Sequence, residues 1–258
     1  MSPNDTRLSG RTALVTGSTG GLGVAIAKAL AASGAFVIVS GRNKSRGDTV
    51  VADIRSTGGD GAFVAADLGA GAEEVRRLAT RAIEMATEAA GGHLDILVNN
   101  AATLLMPTPT ADISEQSLRD TFAVNVFAPF LLTGMVAPKM ARNGKGAIVN
   151  IGSITGLRGS SGSAIYSANK AVIHSFTKSW ADEYGPLGVR VNAVAPGPIA
   201  TERQQEFADH IQPVLARLPS RRMSTPEEVA ASVVFLASDD AANIHGAILS
   251  VDGGWAAV

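Results

Sequence analysis

The chain has 258 residues, 46% hydrophobic and 17% charged, with a formal net charge of −1 and no cysteine. That length allows one large α/β domain or two small ones. The near-neutral charge without a basic tract excludes a nucleic-acid or anionic-membrane role that rests on charge, and the missing thiols exclude disulfides, thiolate catalysis and a Cys-ligated zinc. Charged residues fall below the ~25% of ordinary soluble domains, which fits surface hidden between subunits.

The opening MSPNDTRLSGRT is polar and lacks the apolar core of a signal peptide. The first strand, TALVT at 12–16, runs straight into GSTGGLGVAIAKAL. Gly17, Gly20, Gly21 and Gly23 cluster in that turn. Glycines permit unusual φ angles and let backbone approach a ligand closely. The helix predicted at 21–33 offers unpaired N–H groups and a positive dipole end, which suit a pyrophosphate. The spacing Gly17-x3-Gly21-x-Gly23 departs from G-x-G-x-x-G, but its place after the first buried strand makes it a dinucleotide turn.

Further strands are predicted at 35–40, 62–66, 95–100, 147–153, 189–196 and 247–254. They are apolar throughout rather than alternating, as strands buried on both faces are. Between them lie predicted helices at 43–57, 72–90, 114–142, 164–184 and 226–237. The last opens on Thr225-Pro226-Glu227-Glu228, a cap, a first-turn proline and first-turn acids. This alternation predicts a single doubly wound α/β domain over 1–258. Residues 198–222 interrupt the rhythm with polar, charged and proline residues, as functional insertions do.

Within 114–142, the run VFAPFLLTGMVAPKM reads as too short and too broken by Gly and Pro to span a bilayer, so a cytoplasmic protein is expected. Pro129 lies four residues after Asn125, whose carbonyl therefore has no normal helical partner, and a local kink is expected. Tyr166 and Lys170 stand four apart and share one helix face. His174 lies one turn further on and reads as structural, because Tyr166 and Lys170 already account for a proton. His93, His210 and His245 show no ligand spacing, so no metal is expected.

Taken together, these motifs resemble the classical short-chain dehydrogenase/reductase family over about residues 9–255. Thr16-Gly17-x3-Gly21-x-Gly23 is similar to its cofactor turn, and Asp67 to the acid that meets the adenine. NNAA at 99–102 is similar to Asn-Asn-Ala-Gly, with Ala102 in place of the glycine. Asn125, Ser153, Tyr166 and Lys170 match its catalytic tetrad, and PGPIAT at 196–201 its segment beside the nicotinamide. The resemblance implies a Rossmann-type domain of about seven parallel strands with helices on both faces. It implies a cofactor cleft formed by Gly17, Ser18, Thr19, Gly21, Leu22 and Gly23, then Arg42, Asn43, Asp67, Leu68, Asn99 and Ala101. Tyr166, Lys170, Pro196, Gly197, Ile199 and Thr201 complete it.

The implied chemistry interconverts a carbonyl and a secondary alcohol of a small-molecule substrate. A free tyrosine is a poor base at neutral pH; a neighbouring Lys170 cation favours the phenolate, an oxidised nicotinamide adds a second positive charge, and a value brought toward the working pH makes an effective general acid/base. Ser153 holds the substrate oxygen, and Lys170 is also expected on the nicotinamide ribose. The resemblance further implies a water held at Asn125 in the proton relay, which the carbonyl freed by Pro129 would help to hold. Gly41 stands where family members that use NAD carry Asp, and Arg42 follows, so NADP(H) is the expected cofactor, with NAD(H) the alternative. A homotetramer built on helices 114–142 and 164–184 and the strand near Val251 is expected. The other readings are an NAD-dependent sugar or alcohol dehydrogenase, an epimerase or dehydratase using the same pair, and a non-catalytic cofactor-binding scaffold. The relatives implied are 3-oxoacyl-carrier-protein reductases and sugar or sugar-acid dehydrogenases, with no choice among them.

Overall fold

A computed structural model describes residues 6–89, 92–202 and 208–258. Residues 203–207 of the predicted functional insertion, and residue 90 at the end of the predicted helix 72–90, lie outside the described residues. The seven predicted strands form as β1 (Thr12–Val15), β2 (Phe36–Gly41), β3 (Asp60–Ala65), β4 (Leu94–Asn99), β5 (Gly146–Ile151), β6 (Val189–Pro196) and β7 (Ile248–Val251). They pair in parallel in the order 3-2-1-4-5-6-7.

The strands are apolar throughout because each feeds two cores. Ala13 and Val15 of β1 enter one and Leu14 the other; Val37 and Val39 of β2 part from Ile38 in the same way. The first core is closed by α1 (Gly21–Ala32), α2 (Lys44–Ser56) and α8 (Pro226–Ala237). The second is closed by α3 (Ala72–Glu88), α5 (Ala128–Arg142) and α6 (Ala164–Tyr184). A buried polar ladder crosses the sheet into α6: Asn99 Nδ2 donates to Asn150 Oδ1 (2.9 Å), and Asn150 Nδ2 donates to Thr177 Oγ1 (2.9 Å). It fixes α6 against β5, where an unpaired amide would be costly.

Two segments differ from expectation. The insertion contains a helix, α7 (Ala208–Leu215). The predicted helix 114–142 is α4 (Glu115–Phe122), a π-turn over Ala123–Phe127, and α5. Within the π-turn the Ala128 N–H bonds to the carbonyl of Ala123, five residues back. Pro129 has no N–H to offer and its ring crowds the carbonyl four residues before it, so the expected local distortion takes the form of a widened turn. The resulting 28-residue rod is long and apolar enough to cross a membrane by length and composition, which corrects the reading of a run too short and too broken. Half of its apolar window is buried in the protein's own core.

Ile148 is 1% exposed at the middle of β5, in the second core. Ile148→Ala is expected to lower unfolding free energy by ~2–5 kcal/mol, the cost of a cavity in a packed core. Urea denaturation checks it; a loss comparable to a surface substitution contradicts this packing.

Candidate active site

In an open parallel sheet, ligands bind beyond the carboxyl ends of the strands where the strand order reverses. Here that point lies between β1 and β4. The chain turns from β1 into α1 because two positions lack a side chain. Gly17 has φ +64°, and a β-carbon there would stand 2.8 Å from the Ala101 Cα; one on Gly23 would collide with the Gly17 carbonyl. The turn is strapped to the end of β4. Thr16 Oγ1 accepts from the N–H groups of Asn100 (3.0 Å) and Ala101 (3.1 Å), and Asn100 Nδ2 donates to the carbonyls of Thr16 (2.8 Å) and Gly17 (3.1 Å). Ser18, fully buried, exchanges two bonds with Ser40 at the end of β2: its N–H donates to the Ser40 carbonyl (2.9 Å) and its Oγ accepts from the Ser40 N–H (2.9 Å).

The first turn of α1 fits an anionic phosphate group. Its N-cap is Gly20, no side chain caps its N–H groups, and it contains no acid. A β-carbon on Gly20 would meet nothing within 4 Å. Across the cleft, a β-carbon on Gly21 would stand 3.9 Å from Thr201 Cγ2. That segment is held by the Gly197 N–H on the Val251 carbonyl (3.1 Å), the Thr201 N–H on the Ile199 carbonyl (3.0 Å) and a β-bridge between Ile199 and Ser224. Pro196 ends β6.

At the end of β2, Arg42 is exposed and has no hydrogen-bond or ionic partner among the described residues. Asn43 Oδ1 caps α2 by accepting from the Arg46 N–H (3.0 Å). Gly41 is covered: a β-carbon there would stand 2.6 Å from Thr19 Oγ1. After β3, Leu68 is buried, and Asp67 is exposed with Oδ1 accepting from the Gly69 N–H (3.0 Å). Leu22 packs against the first core. Asn99 turns its amide away from the cleft, onto Asn150 and Thr133 Oγ1 (3.4 Å). Its neighbour Asn100, absent from the sequence-derived site, carries the strap. The motif NNAA shows both residues, but only strand register decides which side chain faces which way.

Ser153 follows β5 and caps the 3₁₀ turn Ile154–Gly156, accepting at Oγ from the Thr155 N–H (3.2 Å). Tyr166 lies in the first turn of α6, where the Ser153 hydroxyl acts on its phenol. Lys170 is 4% exposed; its Nζ donates to the Ile151 carbonyl (2.7 Å) and lies 5.7 Å from the centre of the Tyr166 ring. Burial pushes the Tyr166 phenol up to about 12, opposed by the Ser153 hydrogen bond, and pushes Lys170 down to about 8. In the chain by itself desolvation is the largest influence on the phenol, so the shift toward the working pH expected from Lys170 and an oxidised nicotinamide together is not reached by the chain alone. Asn125 is clamped to the loop after β4, with Nδ2 donating to the Thr103 carbonyl (3.0 Å) and Oδ1 accepting from the Thr103 N–H (2.7 Å). Among the described residues, no cluster of three His, Asp or Glu could hold a metal ion.

Residues 17–256 match a family model described as enoyl-(acyl carrier protein) reductase. The chain is 38% identical over 254 residues to a cyclopentanol dehydrogenase of Comamonas sp., covering 97% of this chain and 99% of that protein. A solved short chain dehydrogenase/reductase family protein is 40% identical with a TM-score of 0.88, covering 98% of this chain and 100% of the other. A 3-oxoacyl-(acyl-carrier-protein) reductase of Agrobacterium tumefaciens, solved with NADP bound, is 31% identical with a TM-score of 0.88, covering 98% and 97%. With this sheet order, this glycine turn and a Tyr–Lys pair on α6, the chain belongs to the short-chain dehydrogenase/reductase family, oxidoreductases that act on CH–OH groups.

Proposed function

We propose that the protein interconverts a secondary alcohol and its ketone with NADP(H), using Tyr166 as the general acid/base. The observation that carries this reading is the meeting of Ser153, after β5, with Tyr166 and Lys170, at the start of α6, together with the uncapped first turn of α1 after the carboxyl end of β1. A bound nicotinamide would supply or take the hydride. Ser153 holds the substrate oxygen, Tyr166 gives it a proton in reduction or takes one in oxidation, and Lys170, anchored on the Ile151 carbonyl, presents its charge to the phenol and the ribose. Asn125 positions the loop after β4. The substrate mouth supports an uncharged, apolar-bodied alcohol. Leu104 and Met106 after β4 and Leu157 after β5 are exposed large apolar residues. The two loops are joined by the Thr108 N–H on the Gly162 carbonyl (2.8 Å). Arg158 is drawn aside, donating to the Trp255 carbonyl (2.9 Å) and lying over its ring.

Turnover across cyclic alcohols and ketones, sugar acids, and oxoacyl and enoyl thioesters tests the assignment. Cyclic and aliphatic ketones are expected to lead; turnover of none of these substrates favours the scaffold reading. Tyr166→Phe is expected to cut kcat by roughly 10²–10⁴-fold, the range of general acid/base catalysis, with cofactor binding retained. Lys170→Ala should damage both. Near-normal turnover in Tyr166→Phe sinks the mechanism. Because the phenol's folded value is high, alcohol oxidation should rise with pH through the alkaline range, while ketone reduction falls as pH passes the phenol's pKa. An oxidation rate flat from pH 6 to 10 contradicts a phenolate base.

The NADP(H) preference is supported by the free Arg42 guanidinium and by Gly41, which places no acid beside a 2′-phosphate. Arg46, four residues on, also has no ionic partner among the described residues and adds a second cation. Arg42→Ala should raise KM for NADP(H) roughly 10- to 100-fold, the ~1.5–3 kcal/mol of a hydrogen bond to a charged group. Switching to NAD needs more than Gly41→Asp and Arg42→Ala, because Thr19 occupies the space of the new side chain; adding Thr19→Ala should complete the switch. A wild-type kcat/KM favouring NAD refutes the assignment.

The same reading includes a cytoplasmic homotetramer. An apolar aromatic face on α5 and α6 supports the assembly: Phe130 is 50% exposed, with ring centroids 5.3 Å from Phe176, which stacks 5.0 Å from Trp180. Light scattering should give a tetramer at micromolar concentration and a smaller species for Phe130→Glu; a wild-type monomer contradicts it.

A further inference from the structure

One buried titratable side chain has no part in the chemistry above. His174 lies on α6 one turn beyond Lys170 and two beyond Tyr166, and is 4% exposed. The Gly156 backbone is its polar neighbour, yet neither ring nitrogen has a hydrogen-bond partner. Burial, followed by the charge of Lys170 and a smaller effect of Lys178, pushes it down to about 4.

The ring occupies a notch made by two glycines that flank Ser153. A β-carbon on Gly152 would collide with Nε2 of His174, and would stand 2.7 Å from its Cδ2. A β-carbon on Gly156 would stand 2.9 Å from its Cε1 and 2.7 Å from the backbone carbon of Lys170. Gly152 is tied by its N–H to the Val194 carbonyl (2.7 Å), and Gly156 by its N–H to the Ser153 carbonyl (3.0 Å). The turn that carries Ser153 is therefore held between β6 and one flat side chain of α6.

The geometry points to His174 as a positioning residue, a neutral wedge that sets the Ser153 turn against the helix of Tyr166 and Lys170. A buried imidazole without partners is costly as a polar group, so its contribution is shape. The wedge explains why residue 152 is glycine, which yields its side-chain space to the ring; at Gly156, the last residue of the turn, a β-carbon would press on the Lys170 backbone as well. It acts on Tyr166 through Ser153, whose hydrogen bond restrains the rise of the phenol.

The inference rests on the catalytic reading of Ser153 and Tyr166, and a double-mutant cycle separates the two. His174→Ala should lower kcat by roughly 10- to 100-fold, as a misplaced catalytic group does. Cofactor Kd should stay unchanged, and the alkaline limb of alcohol oxidation should move to higher pH as Ser153 loosens. Gly152→Ala alone should also be harmful. In the His174→Ala background it should restore activity, because the two ring atoms that a β-carbon at 152 would strike are then gone and the next atom, the Val194 carbonyl oxygen, stands 3.3 Å away. Gly156→Ala is the control and stays harmful in both backgrounds, since it presses on the backbone of α6. His174→Met, which keeps bulk without ring nitrogens, should retain most of kcat even if the alanine variant fails to fold. Independent losses at 152 and 174, in kcat and in Tm, overturn the wedge. So does an unchanged kcat and pH profile in His174→Ala, or a His174→Met enzyme as impaired as the alanine variant. Normal turnover in Tyr166→Phe instead overturns the catalytic reading.

Discussion

The junction between the ends of β1 and β4 governs the site. Two parallel strands diverge there, and the backbone of each must be satisfied away from the sheet ladder. Thr16 and Asn100 do this reciprocally, one hydroxyl serving two N–H groups and one amide serving two carbonyls. The strap holds Gly17 against Ala101 so closely that no side chain fits, and so aims the first turn of α1 into the cleft. With α1 fixed, Thr201 faces its N-terminus and Ser40 locks the turn to β2.

The second half of the site depends on burial. Tyr166 and Lys170 both lie where solvation of charge is lost, and each is driven toward its neutral form. Two groups with opposite charge tendencies, held in one dry region, respond strongly to any further charge that enters it. A nicotinamide cation held beside them would add to the charge of Lys170 in favouring the phenolate. The hydrogen bond from Lys170 Nζ to the Ile151 carbonyl holds that side chain at a fixed place.

Sheet, helices and turn are strongly written in the local sequence. Apolar runs without alternation can be satisfied only between two layers, and Leu14, Ile38 and Ile148 enter one core while their neighbours enter the other. Proline at 129 likewise announces a local break in helical bonding, although a widened turn and a kink satisfy the same missing N–H. The helix inside the 198–222 insertion was hidden, because an eight-residue segment with an internal proline carries little intrinsic preference.

The sequence by itself determined the order of elements, the glycine turn and the Tyr–Lys face, since these depend on spacing along one strand or one helix. Tertiary structure alone decided that Asn100 and not Asn99 straps the turn, because register chooses which of two adjacent side chains faces the cleft. It alone showed Thr19 over Gly41 and His174 between Gly152 and Gly156, contacts between segments distant in the chain. It also decided the direction in which burial moves Tyr166 and Lys170, which follows from the depth at which the fold holds them and not from the four residues of their spacing.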